Sequence, residues 1–272
     1  MTSVKRVFIA VPGERDRAFY KIFVKGVTRL HGLQYIDLDS RERMEEKQRL
    51  VNDIMSQEDS PGIRLRGVSA AVLQGRSGST EVVIWPMKGE KGEGVRIAWF
   101  LLLYQLGLEA PKLNHFVVAT DLEVSSAQRV LQGLLDSLAS RQPCVRSSQT
   151  ERGRYYLLVR NVCRRRLDLL LVAQGLEHVE PVSQAIGQHA LEDFIVYLSW
   201  GRLRSLLDKC PRLWELVRGA RGHKKLATLA ALEHCRPGVD EKFFNRVLTP
   251  ESVERLCSIH DGLAKLNETL VP

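Results

Sequence analysis

The sequence has few cysteines and no paired cysteine motif. Its five cysteines are odd in number and widely spaced, and none belongs to a C-x-x-C pair. Its seven histidines form neither H-x-x-x-H nor a Cys/His cluster at zinc-site spacing. A structural zinc site is therefore not expected. We predict that the cysteines, Cys144, Cys163, Cys210, Cys235 and Cys257, are reduced thiols of a cytosolic protein.

Long apolar runs are also missing. The longest one, residues 97–103, is far shorter than the roughly 20 residues that a membrane-spanning helix needs. The N-terminal segment lacks the apolar stretch of a signal peptide. We therefore expect a soluble, cytoplasmic protein that does not enter a membrane.

The usual nucleotide-binding motifs are missing, because no G-x-G-x-x-G or Walker sequence occurs. A glycine-rich loop nevertheless precedes a predicted helix at residues 95–106, and such a loop exposes backbone N–H groups to an anion. Lys88 and Lys91 would bind that anion, whereas Glu90 and Glu93 would oppose a phosphate. A flexible turn and a phosphate-binding loop, including one for a small molecule, both remain open.

Basic residues exceed acidic ones only moderately. Among 272 residues, 40 Lys and Arg stand against 32 Asp and Glu, which gives a formal net charge of +8. An acidic partner is therefore favoured, either nucleic acid or an anionic small molecule, although a simply soluble surface has the same composition. With 44% hydrophobic residues, a chain of this length can bury a large core without metal or disulfide support.

Strand and helix patterns alternate through the first two thirds of the chain. Apolar, β-branched stretches predict strands at residues 4–11, 33–38, part of 62–75, 81–85, 116–120, 155–159 and 167–172. Helical periodicity predicts helices at residues 14–30, 40–57, 95–106 and 125–140. This alternation indicates an α/β fold with a mostly parallel, Rossmann-like sheet between helices.

The pattern changes to helix alone near residue 184. Predicted helices cover residues 189–199, 202–209, 213–217, 224–233, 241–247 and 251–266, with a break at Gly201 among others. We therefore predict two regions. Residues 1–183 would form the α/β domain, and residues 184–272 an all-helical C-terminal region packed on it.

Two acids follow the predicted strand at residues 116–120. If that strand continues, Asp121 and Glu123 lie on the same side of it, because strand side chains alternate, and together they offer oxygen ligands to a divalent cation. The alternative is that Asp121 merely ends the strand and that Ser125 or Ser126 caps the next helix.

The loops after three predicted strands carry polar groups that would meet if the strands are neighbours. The first loop holds Glu14 and Asp16, the second the glycines, and the third Asp121 and Glu123. In open α/β sheets, sites form beyond the carboxyl ends of the strands. The sequence therefore predicts an acidic site at that edge of the sheet.

These segments resemble Toprim domains, which occur in topoisomerases, primases, recombination proteins and OLD-type nucleases. Residues 11–16, V-P-G-E-R-D, resemble the V-E-G-x-x-D opening of the family, and Asp121-Leu122-Glu123 is similar to its Mg²⁺-binding D-x-D. Residues 190–194, A-L-E-D-F, and 223–226, H-K-K-L, resemble segments of an archaeal Toprim-related branch. The resemblance implies a Toprim-like fold, Mg²⁺ or Mn²⁺, and nuclease-like phosphodiester chemistry.

The resemblance also implies roles for individual residues. Metal ligands would be Asp121, Glu123 and Glu192, while Asp16 would complete the acidic cluster. The family's acid/base glutamate falls on Pro12, which has no proton to give, so Glu14 would replace it. For Glu192 and Asp193 the alternative is the start of an exposed helix face.

Basic residues concentrate in the helical region. Between residues 202 and 225, eight Lys and Arg stand against two acids, which suits the phosphates of nucleic acid. We predict nucleic-acid contacts at Lys88, Lys91, Arg202, Arg204, Arg221, Lys224 and Lys225, with Lys224 also contacting the reacting phosphate. For Lys224 and Lys225 the alternative is a solvated helix start. If Pro12 abolishes catalysis, a binding module for nucleic acid or protein remains.

Overall fold

The computed structural model describes residues 3–55, 67–87, 92–123, 125–177, 179–180, 189–210, 212–217, 222–236 and 238–272. These residues form one eight-stranded sheet with helices on both faces. The strands are β1 (Ser3–Val11), β2 (Gln34–Asp37), β3 (Ser69–Gln74), β4 (Gly78–Pro86), β5 (His115–Asp121), β6 (Gln149–Arg152), β7 (Tyr156–Arg160) and β8 (Asp168–Gln174).

Helices precede, connect and follow these strands. In the first part of the chain they are α1 (Glu14–Leu30), α2 (Met44–Met55), α3 (Glu93–Gly107) and α4 (Ala127–Ala139). The C-terminal helices are α5 (Glu192–Lys209), α6 (Arg212–Val217), α7 (Gly222–Glu233), α8 (Glu241–Val247), α9 (Pro250–Ile259) and α10 (Asp261–Leu270).

The sheet is mixed. Its strand order is β2-β3-β4-β1-β5-β8-β7-β6, and only the pairs that join the central strands β4, β1, β5 and β8 are parallel. The pairs outside this centre are antiparallel. The prediction of an α/β fold is confirmed, but the prediction of a mostly parallel sheet is correct only for the centre. Strands joined by short connections, such as β3 with β4 and β6 with β7, return antiparallel because a parallel return needs a long crossover.

Strand β1 lies at the centre of the sheet and separates two cores. Its side chains alternate, so that Val7, Ile9 and Val11 pack on one face and Phe8 and Ala10 on the other. The first face is covered by α1 and the C-terminal helices, and the second by α2, α3 and α4. Helix α1 therefore leaves β1 toward one face, while α3 and α4 leave the neighbouring β4 and β5 toward the other. This divergence opens a crevice at the carboxyl ends of these strands.

The C-terminal helices belong to the core of the first face. Phe194 on α5, Phe243 and Phe244 on α8 and Leu263 on α10 are fully buried there. His260 ties α10 to the sheet, since its Nε2–H donates to the Ala173 carbonyl at 3.0 Å and its Nδ1 accepts from the Leu263 N–H at 3.0 Å.

Two predicted secondary-structure details are wrong. The predicted break at Gly201 does not occur, because α5 continues from Glu192 to Lys209. A single glycine costs a helix only about 1 kcal/mol, which packing of the helix outweighs. The polar residues 149–152, where no strand is predicted, form the edge strand β6, whose side chains are mostly exposed.

The prediction of reduced cysteines is wrong for one pair. Cys144 and Cys163 form a disulfide, with their Cα atoms 5.2 Å apart. Two short helical turns, Pro143–Ser147 and Val162–Arg164, carry these cysteines and contact each other. This tertiary contact brings together residues whose sequence spacing shows no motif. Cys210, Cys235 and Cys257 are free thiols.

None of the helices in the described ranges has the length and apolar character needed to cross a membrane.

Candidate functional site

The carboxyl ends of the central strands gather buried acids. Asp16 lies in the first turn of α1, directly after β1, and Asp121 is the last residue of β5. Because β1 and β5 are neighbours and parallel, these two segments meet at the same edge of the sheet. The prediction that these loops converge is therefore correct for these acids.

Gln174 links the two aspartates. It ends β8, which pairs with β5 so that Gln174 lies opposite Asp121. Its Nε2–H group donates to Asp16 Oδ1 at 3.1 Å and to Asp121 Oδ1 at 3.3 Å. The Oδ1 atoms of Asp16 and Asp121 therefore contact the same nitrogen atom, which places the two carboxyl groups close together. The Leu191 N–H also donates to Asp121 Oδ1, at 3.3 Å.

The surroundings of the two aspartates disfavour the charged form of each carboxyl group. Burial, together with the charges of Asp16 and Glu192, raises the pKa of Asp121 to about 8. Burial likewise raises the pKa of Asp16 to about 6; hydrogen bonding from Gln174 opposes this rise and the charge of Glu192 adds to it. Neither carboxylate forms an ion pair within the described part of the chain. A protonated carboxyl or a bound cation would relieve this repulsion.

Glu192 completes the cluster from the first turn of α5. It is only 5% exposed, and its Oε1 accepts from Arg15 Nη1 at 2.6 Å. Asp193, beside it, is fully buried and accepts from the Leu176 N–H at 2.7 Å. The alternative that these two acids start an exposed helix face is therefore wrong.

Asp193 also orients an imidazole. Its Oδ2 lies 2.8 Å from His189 Nδ1, which leaves Nε2 of the same ring for another partner. The backbone of His189 pairs with that of Glu123 through two hydrogen bonds of 2.8 Å. Gly175 makes room for this pairing: its φ is +135°, and a Cβ there would lie 2.8 Å from the His189 Cβ.

Glu123 reaches the site in a different way from the predicted one. Strand β5 ends at Asp121, and Glu123 has φ +52°, in the left-handed region that side chains other than glycine seldom adopt. The assumption of strand alternation through Glu123 is therefore wrong. Both acids nevertheless line one cavity of about 400 Å³, together with Pro12, Gly92, Gly94 and Thr120. The predicted cap of the following helix is also present, since Ser126 Oγ accepts from the Arg129 N–H.

Several buried polar atoms around the cluster have no hydrogen-bond partner among the described residues. They include Gln174 Oε1, Tyr20 Oη, Asp193 Oδ1 and His223 Nδ1. Burial raises the pKa of Tyr20 well above its usual value, and the charges of Asp16 and Asp121 add to the rise, as expected for a phenol beside both acids. Such unpartnered groups are costly in a structural core and typical of a site that binds something.

The donor set fits a hard divalent cation. Carboxylate oxygens, as on Asp16 and Asp121, are the ligand type that Mg²⁺ and Mn²⁺ prefer. The Gln174 amide turns its Nε2 group toward both acids, so its unpartnered Oε1 would join them as a ligand only after the amide rotates. Within the described ranges, however, no three Asp, Glu, His or Cys side chains already converge at metal-ligand geometry. Binding would require these side chains to close around the ion.

Two residues predicted to be catalytic lie differently from the cluster. Glu14 is about half exposed, and its Oε2 accepts from Arg17 Nε at 2.7 Å, one turn along α1. Lys224 is exposed in the first turn of α7. Its neighbour His223 is buried instead. Burial lowers the pKa of His223, and Glu192, which partly opposes this, lies close to it.

The predicted nucleic-acid contacts are surface residues where they are described. Arg202, Arg204, Lys224 and Lys225 are all exposed on α5 and α7, and Arg204 lies 3.7 Å from Asp208. Lys88, Lys91 and Arg221 lie outside the described residues.

Sequence reasoning missed the polar residues that hold the acids. Arg15 stands at a variable position of V-P-G-E-R-D, and Gln174, His189 and Tyr20 belong to no recognised motif. The roles of Gln174, Arg15 and Tyr20 depend on contacts between distant segments, whereas His189 and Asp193 are four residues apart. Gln174 left a signal, as a polar residue that ends an otherwise apolar strand.

Compared with known proteins, the chain matches no family model, no curated protein and no solved structure.

Proposed function

We propose that this chain is a Toprim-like, Mg²⁺- or Mn²⁺-dependent protein that processes phosphodiesters of nucleic acid. The observation that carries the proposal is the pair of Asp16, which is buried, and Asp121, which is partly buried: both pKa values are raised, and neither acid has an ion-pair partner among the described residues. Strongly perturbed acids in a cavity at the carboxyl edge of a sheet are typical of functional sites.

The cation would be held by Asp16 and Asp121, with Glu123, Glu192 and Gln174 around it. When bound, it would supply positive charge that neutralises the phosphodiester and stabilises the transition state. The acids position that charge at the mouth of the 400 Å³ cavity, because Asp121 and Glu123 both line it.

Proton transfer needs a group other than residue 12. Pro12 lines the cavity but has no titratable side chain, and Glu14 is paired with Arg17. We assign this role to His189, because Asp193 fixes one ring nitrogen and leaves the other available, as in the base-and-orienting-acid pairs of many enzymes.

Nucleic acid is the proposed substrate because the acids are accompanied by exposed basic residues. Arg202, Arg204, Lys224 and Lys225 lie on helices α5 and α7, and α5 begins at the acidic cluster. Such residues would contribute salt-dependent affinity for phosphates, while the acids would contribute the chemistry.

Cleavage assays on single- and double-stranded DNA and RNA, with Mg²⁺, Mn²⁺ or EDTA, test the proposal. We expect metal-dependent cleavage that Asp121→Asn reduces by about 100-fold or more. Asp39→Asn is the matched control, because Asp39 is a partly buried aspartate outside the site. His189→Gln should reduce cleavage without changing metal affinity. Cleavage that is unaffected by Asp121→Asn would contradict the proposal.

A non-catalytic binding module is the second candidate. Pro12 favours it, because the residue at the family's acid/base position cannot transfer a proton. In that case the protein would bind a divalent cation and nucleic acid, and no substrate would be cleaved. Wild-type protein that binds both but leaves every substrate intact would favour the module over the enzyme.

A further inference from the structure

A second cavity lies in the helical region, away from the acids. It has a volume of about 550 Å³ and is bordered by α5, the C-terminal end of α7, α8 and the N-terminal end of α9. We call it the arginine cavity, because Arg202, Arg246 and Arg255 line it, and all three are exposed to solvent. Among the described residues that line it, none is an Asp or Glu.

The three guanidinium groups keep most of their hydrogen-bonding capacity. Arg202 Nη1 lies 3.3 Å from His234 Nδ1, and Arg246 Nη1 donates to the His234 carbonyl at 2.7 Å. Arg255 lies over the ring of Tyr197, 5.5 Å from its centre. None of the three forms an ion pair with a carboxylate in the part of the chain that is described. Each guanidinium carries five N–H donors, so the cavity has donors for several anionic oxygens.

The pKa of His234 reflects the positive charge of the neighbouring arginines. Burial lowers the pKa of His234, and the charges of Arg202 and Arg246 lower it further. The ring is therefore neutral near pH 7 and can accept the hydrogen bond from Arg202. A cavity whose cations depress the pKa of a neighbouring base favours an anionic ligand.

The remaining lining suits a strand of nucleic acid. Tyr197 and Trp200 place partly exposed aromatic rings beside the arginines, and bases stack on such rings. Thr249 and Ser252, at the N-terminal end of α9, add hydroxyl groups to the lining, and Thr249 Oγ1 also caps the helix by accepting from the Ser252 N–H at 3.3 Å.

We propose that the arginine cavity binds a backbone phosphate of single-stranded nucleic acid, with Arg202, Arg246 and Arg255 on the phosphate oxygens and an adjacent base against Trp200 or Tyr197. The proposal rests on the proposed function for the kind of partner, but it needs neither the metal nor the acids. Helix α5 connects the two places: Arg202 lies ten residues beyond Glu192, which is about 15 Å along the helix axis. A strand held in the cavity would thus lie within a few nucleotides of the acids.

Fluorescence anisotropy with a labelled single-stranded oligonucleotide, in EDTA, tests the proposal. We expect Arg202→Gln, Arg246→Gln and Arg255→Gln each to weaken binding by about ten-fold, because each removes a charged hydrogen-bond donor. Each should also reduce the salt dependence of binding by about one phosphate contact. Arg129→Gln is the matched control, since Arg129 is an exposed arginine on α4, which packs on the other face of the sheet, and we expect less than about a two-fold effect.

Three results would overturn the proposal: cavity variants that weaken binding no more than Arg129→Gln does, equal binding of a duplex of the same sequence, or inorganic phosphate that binds as tightly as the oligonucleotide. Thermal melts control for folding. If loss of the Arg246 contact with His234 unfolds the protein, the Arg202 and Arg255 variants still decide the question. Failure of the metal site would appear as lost cleavage with unchanged binding in EDTA, so the two proposals fail separately.

Discussion

Two groups of carboxylates lie near α1, and they differ in whether basic side chains neutralise their charge. In the first, Lys21 is largely buried and its Nζ lies 2.9 Å from Asp39, 3.3 Å from Asp37 and 3.4 Å from Glu241. Lys47 also contacts Asp39, at 2.9 Å. The second group consists of Asp16, Asp121 and Glu192, of which only Glu192 has a cationic partner within the described residues, Arg15.

The pKa shifts follow this difference. Burial alone would raise the pKa of Asp39, but Lys47 and Lys21 outweigh it and hold the pKa below its usual value. At Asp121 burial raises the pKa and the neighbouring acids raise it further. The acids of the first group thus have basic side chains, Lys21 and Lys47, that neutralise their charge. Asp16 and Asp121, at the carboxyl edge of the sheet, have no cationic partner among the described residues, which is the physical reason for assigning them a ligand.

The largest effect should follow the loss of the lysine in the neutralised group. We expect Lys21→Met to lower the free energy of unfolding by about 3 kcal/mol, because it leaves several acids without their shared cation. Lys25→Met, one turn along α1, is the control and should cost less than about 0.5 kcal/mol. Denaturant unfolding measures both values. Equal effects of the two substitutions would show that the Lys21 contacts do not stabilise the fold.

Removing the charge of Asp121, which has no cationic partner among the described residues, should instead increase the free energy of unfolding. We expect Asp121→Asn to raise the free energy of unfolding of the metal-free protein by about 2 kcal/mol at pH 9, because it removes a buried, repelled charge. Asp39→Asn should instead be destabilising, since it removes the acid that Lys21 and Lys47 share. Thermal and urea unfolding in EDTA would test both signs. A destabilised Asp121→Asn protein would contradict the contrast between the two groups.

The pH dependence of stability should reveal the same contrast. An acid whose pKa is raised by folding contributes stability that is fully present below its unfolded pKa and is lost as pH rises through its folded pKa. For Asp121 the loss begins above its unfolded pKa and is complete just above pH 8, so its last part, between pH 7 and pH 9, lies above the range in which histidines titrate. We expect the metal-free protein to lose about 1 kcal/mol between pH 7 and pH 9. Asp121→Asn should remove this loss, and a wild-type curve that is flat over this range would contradict it.

The smallest effect is expected for Arg15, which forms an ion pair with Glu192. Arg15 is nearly half exposed, so solvent screening limits the value of its ion pair with Glu192 to about 0.5 kcal/mol. We expect Arg15→Gln to lower the melting temperature slightly and to increase the stabilisation that a divalent cation provides. Arg17→Gln removes the exposed pair with Glu14 and should leave the response to the cation unchanged. Identical responses of the two variants would exclude a role for Arg15 at the site.

Local patterns predicted the parts of the fold that depend on neighbouring residues. The bounds of α1 agree with its apolar period, and β1, β4 and β5 occur where apolar, β-branched runs indicate strands. The direction of the outer strands depends on which distant strand they pair with, and no local pattern encodes that choice. The sequence therefore predicted the central sheet and not its antiparallel margins.

The residues of the site divide in the same way, into those that a local pattern predicted and those that it did not. Asp16 and Asp121 were predicted because they follow strands whose ends meet, which is a rule of the fold class. Gln174 was not, because its contact with Asp16 forms only when β8 and the start of α1 come together at the edge of the sheet. His189 was not either, although it lies only four residues before Asp193, because no motif marks this pair. The Cys144–Cys163 disulfide was missed for the same reason.

The central claim is that Asp16 and Asp121 form a divalent-cation site, and calorimetric titration of Mn²⁺ at pH 7 tests it most directly. Because the pKa of Asp121 is about 8, this carboxyl is mostly protonated in the metal-free protein and must release its proton when the ion binds. Titrations in two buffers of different ionisation enthalpy measure that release. We predict one bound ion per chain and release of about one proton, both lost in the Asp16→Asn/Asp121→Asn protein and kept in Asp39→Asn. No binding at millimolar Mn²⁺, or equal binding by the double variant, would contradict the claim.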